Sequence, residues 1–374
     1  MKWFGIKIVF LLFLTLFVSY SIGEGASSSK SSSGVKKVLA SLPKRIVIVG
    51  DTGTGERAYS PGFRVVQKAM LETNADFLLH LGDFVYQPNF FPRSCPDRYI
   101  KEIKETLSDP YPLKLFVAGD NDLPPKKSKP KASGCWDKID PLDSGFDTPG
   151  PRALEGTRVV GNVLIGIINN YPWQDPTPWL QPRIKEARNK GLWVVLAVHE
   201  PAITTTWYVD KRNTVFQQLN ALKPDIVLAG NQHSYERFHP TGQVEQGTFK
   251  VTKSESGKYN SGEGVMHIVS GGGGAYLRPF ADQQKNEKRS APKDVLDALA
   301  KRTIMNHFIT LDVSNEKIEG TTWRVCIPND SNDKSNPRWK PSKKFWKSIP
   351  LECDDKTSGV SVYEKFEIIK APKP

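Results

Sequence analysis

Three aspartates and two histidines in this chain each close a run of strand-forming residues. RIVIVGD ends at Asp51, FLLHLGD at Asp83, LKLFVAGD at Asp120, LWVVLAVH at His199 and DIVLAGNQH at His233. Short apolar runs bounded by glycine suit strands buried on both faces, as in an α/β protein. In open α/β sheets, ligands bind at the carboxyl ends of the strands. One aspartate at such an end is ordinarily a turn residue or a helix cap. A set of Asp, Asp, Asp, His and His delivered to one rim is different. Carboxylates there are costly to desolvate unless paired or bound to metal, and mixed with imidazoles they suit iron, manganese or zinc. Tyr86, three residues after Asp83, adds a phenol to the set.

Two other readings of the first motif fail on chemistry. Asp51-Thr52-Gly53 matches the aspartic-protease triplet, but that reaction needs a second such triplet and the chain has none. Gly50 and Gly55 imitate half a phosphate-binding loop, yet Glu56 stands where the lysine is required. The metal-ligand reading survives both.

The elements that must position these groups are legible around them. Phe63, Val66, Ala69 and Met70 have helical spacing after the first strand. Val163–Asn170 reads as a buried strand and Trp179–Lys190 as a crossing helix. Val265–Val269 reads as a strand containing His267, a core histidine, and Phe308–Val313 with Lys317–Val325 as a closing hairpin. Ser270–Gly274 is a glycine-rich rim turn, or alternatively a backbone cradle for an anion. His80, His239 and His307 have no motif around them and stay outside the candidate site.

The sequence resembles the calcineurin-like metallophosphoesterases, and among them the purple acid phosphatases of the tartrate-resistant type. The resemblance rests on Asp51-Thr52-Gly53, Gly82-Asp83-Phe84-Val85-Tyr86, Gly119-Asp120-Asn121-Asp122, His199 and Gly230-Asn231-Gln232-His233, in that order, with Tyr86 pointing to the purple branch. It implies an α/β fold: a two-sheet β-sandwich flanked by helices, in four layers α/β/β/α, with a dinuclear metal centre at one rim. It implies Fe(III) held by Asp51, Asp83, Tyr86 and His233, with Asp83 bridging to a divalent metal at Asp120, His199 and Asn231. Two metals would clamp a phosphate and acidify a water for attack. Asp120 stands where the family carries an amide and Asn231 where it carries a histidine, which favours Mn, Fe or Mg over Zn. Asn121 replaces the histidine that serves the leaving group, leaving Asp122 and Glu200 as candidate substitutes. The expected function is therefore a secreted acid phosphatase-like hydrolase of phosphate monoesters, acting on phosphorylated small molecules or phosphoproteins. The alternative is a weakly active or inactive metal-binding relative that acts as a secreted binding protein.

Organisation follows from composition. The 374 residues carry a formal net charge of +12 and suffice for one large domain. Residues 1–23 read as a signal peptide, with Lys2, an apolar stretch over Ile8–Val18 and small residues at Ser21 and Gly23. An uncleaved anchor is the alternative, although the apolar stretch falls short of the ~20 residues a span needs, so no membrane span is expected after cleavage. Residues 24–41 form a Ser/Gly/Lys linker, 42–325 the metallophosphoesterase domain and 326–374 a basic C-terminal extension. Secretion, or an endomembrane lumen of lysosome or vacuole type, is the expected location.

In that setting the cysteines Cys95, Cys135, Cys326 and Cys353 are expected to pair locally as Cys95–Cys135 and Cys326–Cys353. Zinc binding is the alternative. Pro124–Lys131, reading PPKKSKPK, is a solvated loop or a cationic lip for phosphate-bearing substrates. Pro328–Pro350 interleaves Trp339, Phe345 and Trp346 with lysines and is expected to lie as a tail across the domain, so no nucleic-acid partner is expected. Asn329-Asp330-Ser331 is an N-glycosylation acceptor.

Overall fold

The computed structural model describes residues 45–371, apart from 54–60, 87–94, 127–131, 140–145, 148–153, 208–210, 246–247, 285–287, 289, 327–352 and 354–358. The signal and linker segments, most of the lysine-rich 124–131 loop, the aromatic 328–350 stretch and the glycosylation acceptor lie outside the described residues.

Alternation along the strands sets the layers. In β1 (Arg45–Val49), Ile46 and Ile48 face one way, and Val47 and Val49 the other. The first pair joins a core shared with Phe77 and Leu79 of β2 (Phe77–His80) and with strands of a second sheet, including Val195, Ala197, Ile226 and Leu228. The second pair meets Phe63, Val66, Ala69 and Met70 of helix α1 (Pro61–Glu72), the spacing the sequence shows. On the far side, Val194, Leu196 and Val198 of β6 (Trp193–Val198) pack against Leu180, Ile184 and Ala187 of a helix over Thr177–Asn189. Alternate residues of each sheet thus serve the inter-sheet core and an outer helix layer, which is the four-layer α/β/β/α sandwich.

Each sheet of the sandwich has seven described strands: β11 (Lys258–Asn260) completes the first, β4 (Gly156–Val160), β8 (Tyr235–Phe238) and β13 (Leu299–Thr303) complete the second, and β9 (Thr241–Glu245) with β10 (Thr248–Val251) forms a separate two-stranded sheet. In the first, β1, β2 and β3 (Leu113–Phe116) run parallel, and β14 (Asn306–Val313), β15 (Lys317–Cys326) and β16 (Gly359–Ile369) extend it antiparallel. In the second, β5 (Val163–Ile167), β6, β7 (Ile226–Ala229) and β12 (Met266–Ser270) run parallel. The carboxyl ends of β1, β2 and β3 therefore meet those of β6 and β7 at one rim.

The first sheet corrects the domain boundary at residue 325. Gly359–Ile369, expected within a basic extension outside the domain, is a full strand of the sheet, paired to β15 over its length. Phe366 and Ile368 enter the inter-sheet core, and buried Glu364 accepts a two-pronged ion pair from Arg237 at 2.8–2.9 Å and a hydrogen bond from Tyr235 Oη at 2.5 Å. Both expected disulfides, Cys95–Cys135 and Cys326–Cys353, are formed. No described helix is long and apolar enough to cross a membrane.

Several histidines are buried neutral. His267 Nε2–H donates to Asn220 Oδ1 at 2.8 Å and His307 Nδ1–H to the Met305 carbonyl at 3.0 Å. Burial lowers their pKa values to about 3 and about 4. An unfolded histidine takes a proton near pH 6.5. The unfolded chain thus binds protons that the folded chain refuses as pH falls from about 6.5 toward those values, and stability is lost across that window. Each group contributes a slope of about 1.4 kcal/mol per pH unit. His267→Gln, which keeps a donor for Asn220, is expected to flatten the fall of the urea midpoint between pH 6.5 and 4. An unchanged slope overturns the assignment.

Candidate metal centre

The ligand-bearing turns share one backbone solution. Asp51, Asp83 and Asn231 each follow a glycine and adopt the left-handed region, with φ of 56°, 54° and 62°. Aspartate and asparagine tolerate that region better than other side-chain-bearing residues. Glycines before the candidate ligands allow close approach: a Cβ on Gly119, before Asp120, would lie 2.2 Å from Asp83 Oδ1, and one on Gly230 2.8 Å from Asp51 Oδ2. The Gly-Asp and Gly-Asn pairs of the sequence are thus the stereochemistry of the rim.

Two clusters form there. In the first, Tyr86 Oη lies 2.9 Å from both Asp51 Oδ1 and His233 Nε2, and His233 Nε2 lies 3.3 Å from Asp51 Oδ1. His233 Nδ1–H donates to the Tyr276 carbonyl at 2.5 Å, which leaves Nε2 as a lone pair. In the second, His199 Nε2 lies 3.4 Å from Asp83 Oδ1 and 3.6 Å from Asp120 Oδ1, while Nδ1–H donates to the Leu81 carbonyl at 2.7 Å. Ligand atoms of Asp51, Asp83 and His199 fall within 4.8 Å of one another and join the clusters.

The electrostatics ask for cations. Burial raises the Tyr86 pKa well above its ordinary value, and the Asp51 and Asp83 charges add to the rise. Burial opposes charge on both Asp83 and His199, but their mutual attraction prevails, holding the carboxyl low and the imidazole high. Among the described residues His199 Nε2 is buried without a hydrogen-bond partner, facing the Asp83 and Asp120 oxygens. Only a proton or a metal ion satisfies that arrangement, and the converging oxygen and nitrogen donors fit a metal pair.

The remaining sequence candidates take varied places. Asn121 sits in the site, but its N–H donates to Asp83 Oδ1 at 3.0 Å and its amide to Asp83 Oδ2 at 2.6 Å, so it steadies the carboxylate. Asp122 is fully buried and accepts the N–H groups of Asp83, Gly119 and Val85 at 2.8, 2.9 and 3.2 Å, which makes it the organiser of two ligand turns. Glu200 is half-buried beside His199. The backbone N–H groups of His199 and Glu200 share Asn170 Oδ1, at 2.8 and 2.9 Å. Asn231 reaches Asp51 Oδ2 through its backbone N–H at 2.8 Å, and among the described residues its amide makes no hydrogen bond.

The glycine-rich turn is a clamp rather than an open anion cradle. Gly273 N–H donates to the Gly50 carbonyl and Ala275 N–H to the Asp51 carbonyl, both at 2.9 Å. Of the cationic loop, exposed Lys126 places its ammonium 6.0 Å from the Tyr171 ring centroid.

Motif reasoning missed His80. It accepts the Gly82 N–H at Nδ1 (3.1 Å), so Nε2–H donates to Thr52 Oγ1 at 3.0 Å, tying the Asp51 and Asp83 turns from below. The available signal was its position at the last residue of a ligand-bearing strand. Tyr276, whose carbonyl orients His233, was missed as well, although it stands two residues past the glycine run that ends at Gly274.

Fold and site together define a metallophosphoesterase. The chain belongs to the calcineurin-like phosphoesterase family, which it matches over residues 44–235, slightly more than half its length. Within it the chain is purple acid phosphatase-like. It is 24% identical over 281 residues to probable inactive purple acid phosphatase 1 of Arabidopsis thaliana, covering 65% of this chain and 43% of that protein. It is 23% identical over 270 residues to purple acid phosphatase 5 of the same plant, covering 68% and 59%. The chain thus spans about half the length of these relatives. Its fold is similar to that of purple acid phosphatase PPD1 from yellow lupin seeds, with a TM-score of 0.58 and 16% identity over 88% of this chain and 54% of that one.

Proposed function

We propose that the chain is a secreted, acid phosphatase-like hydrolase that releases phosphate from phosphomonoesters of small molecules or proteins. The observation that carries this reading is the orphaned, buried Nε2 of His199 aimed at Asp83 and Asp120 beside the Asp51–Tyr86–His233 cluster. Asp51, Asp83, Tyr86 and His233 would hold Fe(III), and Asp83, Asp120, His199 and Asn231 a divalent Mn, Fe or Mg. When bound, the pair supplies charge neutralisation for the phosphoryl oxygens and acidifies a water. The chain's own work is orientation. The Leu81 and Tyr276 carbonyls fix the tautomers so that both Nε2 atoms face inward. Asn121 holds Asp83 and the Asn231 N–H holds Asp51. Secretion is supported by the signal-like start of the sequence and by two disulfides, which persist in oxidising compartments.

A second reading, a metal-holding binding protein with little turnover, is favoured by one observation: the Asn121 amide and the Asp122 oxygens are engaged in holding the turns, which leaves neither free to serve a leaving group. Metal analysis of the purified protein with a chromogenic aryl phosphate assay from pH 4 to 8 separates the two. The hydrolase reading expects two metals per chain, a phenolate colour and turnover. Two metals without turnover support the binding protein.

A further inference from the structure

The disulfide Cys95–Cys135 is wired to the ligand turns by an unbroken run of hydrogen bonds. Residues 133–136 lie against the residues that follow Asp120. The Ser133 N–H donates to the Asn121 carbonyl at 2.7 Å, the Gly134 N–H to the Leu123 carbonyl at 3.0 Å and the Trp136 N–H to the Asp122 carbonyl at 3.0 Å. Cys135 belongs to that run, and its own N–H donates to Ser133 Oγ at 3.2 Å. Asn121 and Asp122 in turn hold the Asp83 carboxylate and the N–H groups of Asp83, Val85 and Gly119. A second path runs through side chains, because the Trp136 ring packs against Phe84, the neighbour of Asp83, with centroids 6.2 Å apart.

The bond to Cys95 fastens this run to the body of the domain. Cys95 precedes a helix over Asp97–Ile103, whose Tyr99 and Ile103 enter the same core as Cys135, Trp136 and Phe84. The Cys95 carbonyl also accepts Lys138 Nζ–H at 3.0 Å. Both cysteines are buried, at 1% and 0% exposure. Cys326–Cys353 is placed differently. It joins the end of β15 to the segment before β16, and β14 separates β15 from the ligand-bearing β1.

We propose that Cys95–Cys135 is a positioning element of the metal centre and makes that centre sensitive to thiols. Reduction loosens residues 133–136, releases the Asn121–Asp122 turn and weakens the hold on metal. This rests on the metal-centre reading and not on turnover. The reaction is exchange with a dithiol. One thiolate of the dithiol attacks a protein sulfur, and the S–S bond breaks with the other cysteine leaving as a thiolate. The second thiolate of the dithiol then displaces the first cysteine. The dithiol's two protons end on Cys95 and Cys135, and the dithiol becomes a cyclic disulfide. Because both sulfurs are buried, exchange waits on a local opening of the segment. Bound metal favours the closed arrangement, so the coupling is reciprocal: reduction weakens the metals, and the metals protect the disulfide.

The first test uses the wild-type chain, treated with dithiothreitol metal-free and after loading with iron and manganese. Alkylation with peptide mapping reads the thiols of each pair. Metal is expected to slow reduction of Cys95–Cys135 and to leave Cys326–Cys353 unaffected; equal rates at Cys95–Cys135 with and without metal overturn the proposal. The second test compares Cys95→Ala/Cys135→Ala with Cys326→Ala/Cys353→Ala. The disulfides join residues 40 and 27 apart, so by chain entropy the two changes cost comparable stability. Only the first pair is expected to raise the metal Kd, by the roughly 10- to 100-fold that loss of outer support brings. Hydrogen exchange at the Asp83, Val85 and Gly119 amides of metal-free protein reads the same coupling without any metal, and should quicken in the first variant alone. Quickening there in a chain that takes up no metal supports the positioning role and defeats the metal-centre reading alone. Metal affinity or amide exchange that changes equally in both variants, or in neither, overturns the proposal.

Discussion

Asp83→Ala is expected to leave exhaustive dialysis with neither metal bound, whereas Asp120→Ala should keep one. Asp83 stands between the clusters, 3.4 Å from His199 Nε2 and grouped with Asp51 within 4.8 Å. Its carboxylate is also the acceptor for both donors of Asn121, so its loss unpins that turn as well. Alanine at a φ of 54° adds about 1–2 kcal/mol of backbone strain. Asp83→Asn is therefore the companion variant, because it keeps the left-handed turn while removing the charge. Both variants are expected to lose the metals. Elemental analysis per chain decides it, with circular dichroism to show that the fold persists. Two metals retained in Asp83→Asn would sink the bridging role.

The strands and the ligand order were legible because chain chemistry and rim geometry coincide. The parallel strands are short and apolar enough to read as buried, and after β1, β2, β3 and β7 a Gly-Asp or Gly-Asn pair marks both the turn and a candidate ligand, whereas β6 runs straight into His199. The supporting residues were not legible, since they act on backbone groups brought together only by folding. Asp122 reads in sequence as a spare carboxylate. Its acceptors' partners, the N–H groups of Asp83 and Val85, lie on another strand's turn. His80 reads as an isolated histidine, yet it ties the Gly82 turn to Thr52, 28 residues before it in the chain. The last strand was hidden for a different reason. The alternation of Val360, Val362, Glu364, Phe366 and Ile368 is a strand pattern with a charge at its centre, and the basic, proline-broken stretch before it reads as the end of the domain. Glu364 belongs there because Arg237 and Tyr235 await it on the facing sheet.

The residues proposed for a second metal position, Asp120, Asn231 and Asn121, offer the other large effect. The family resemblance implies an amide where Asp120 stands, an imidazole where Asn231 stands and a leaving-group histidine where Asn121 stands. If the position is matched to a harder ion, wild type should turn over an activated aryl phosphate with Mn, Fe or Mg and less well with Zn. Asn231→His alone is then expected to disturb it, by adding a nitrogen beside an oxygen-rich shell. The anchoring bond from the residue 231 N–H to Asp51 would survive, since it belongs to the backbone. Asn121→His alone removes the 2.6 Å bond that steadies Asp83, and should lower activity even as it supplies an acid. Only the triple change, Asp120→Asn with Asn121→His and Asn231→His, restores a consistent set. It is expected to accept Zn and to raise hydrolysis of alkyl phosphates, which have poor leaving groups, by ~10²–10⁴-fold, the range general acid catalysis contributes. Metal content and aryl phosphate turnover of the wild type settle the matter: a single iron per chain, with no hydrolysis when Mn, Fe, Mg or Zn is supplied, would mean that the second position is broken rather than matched.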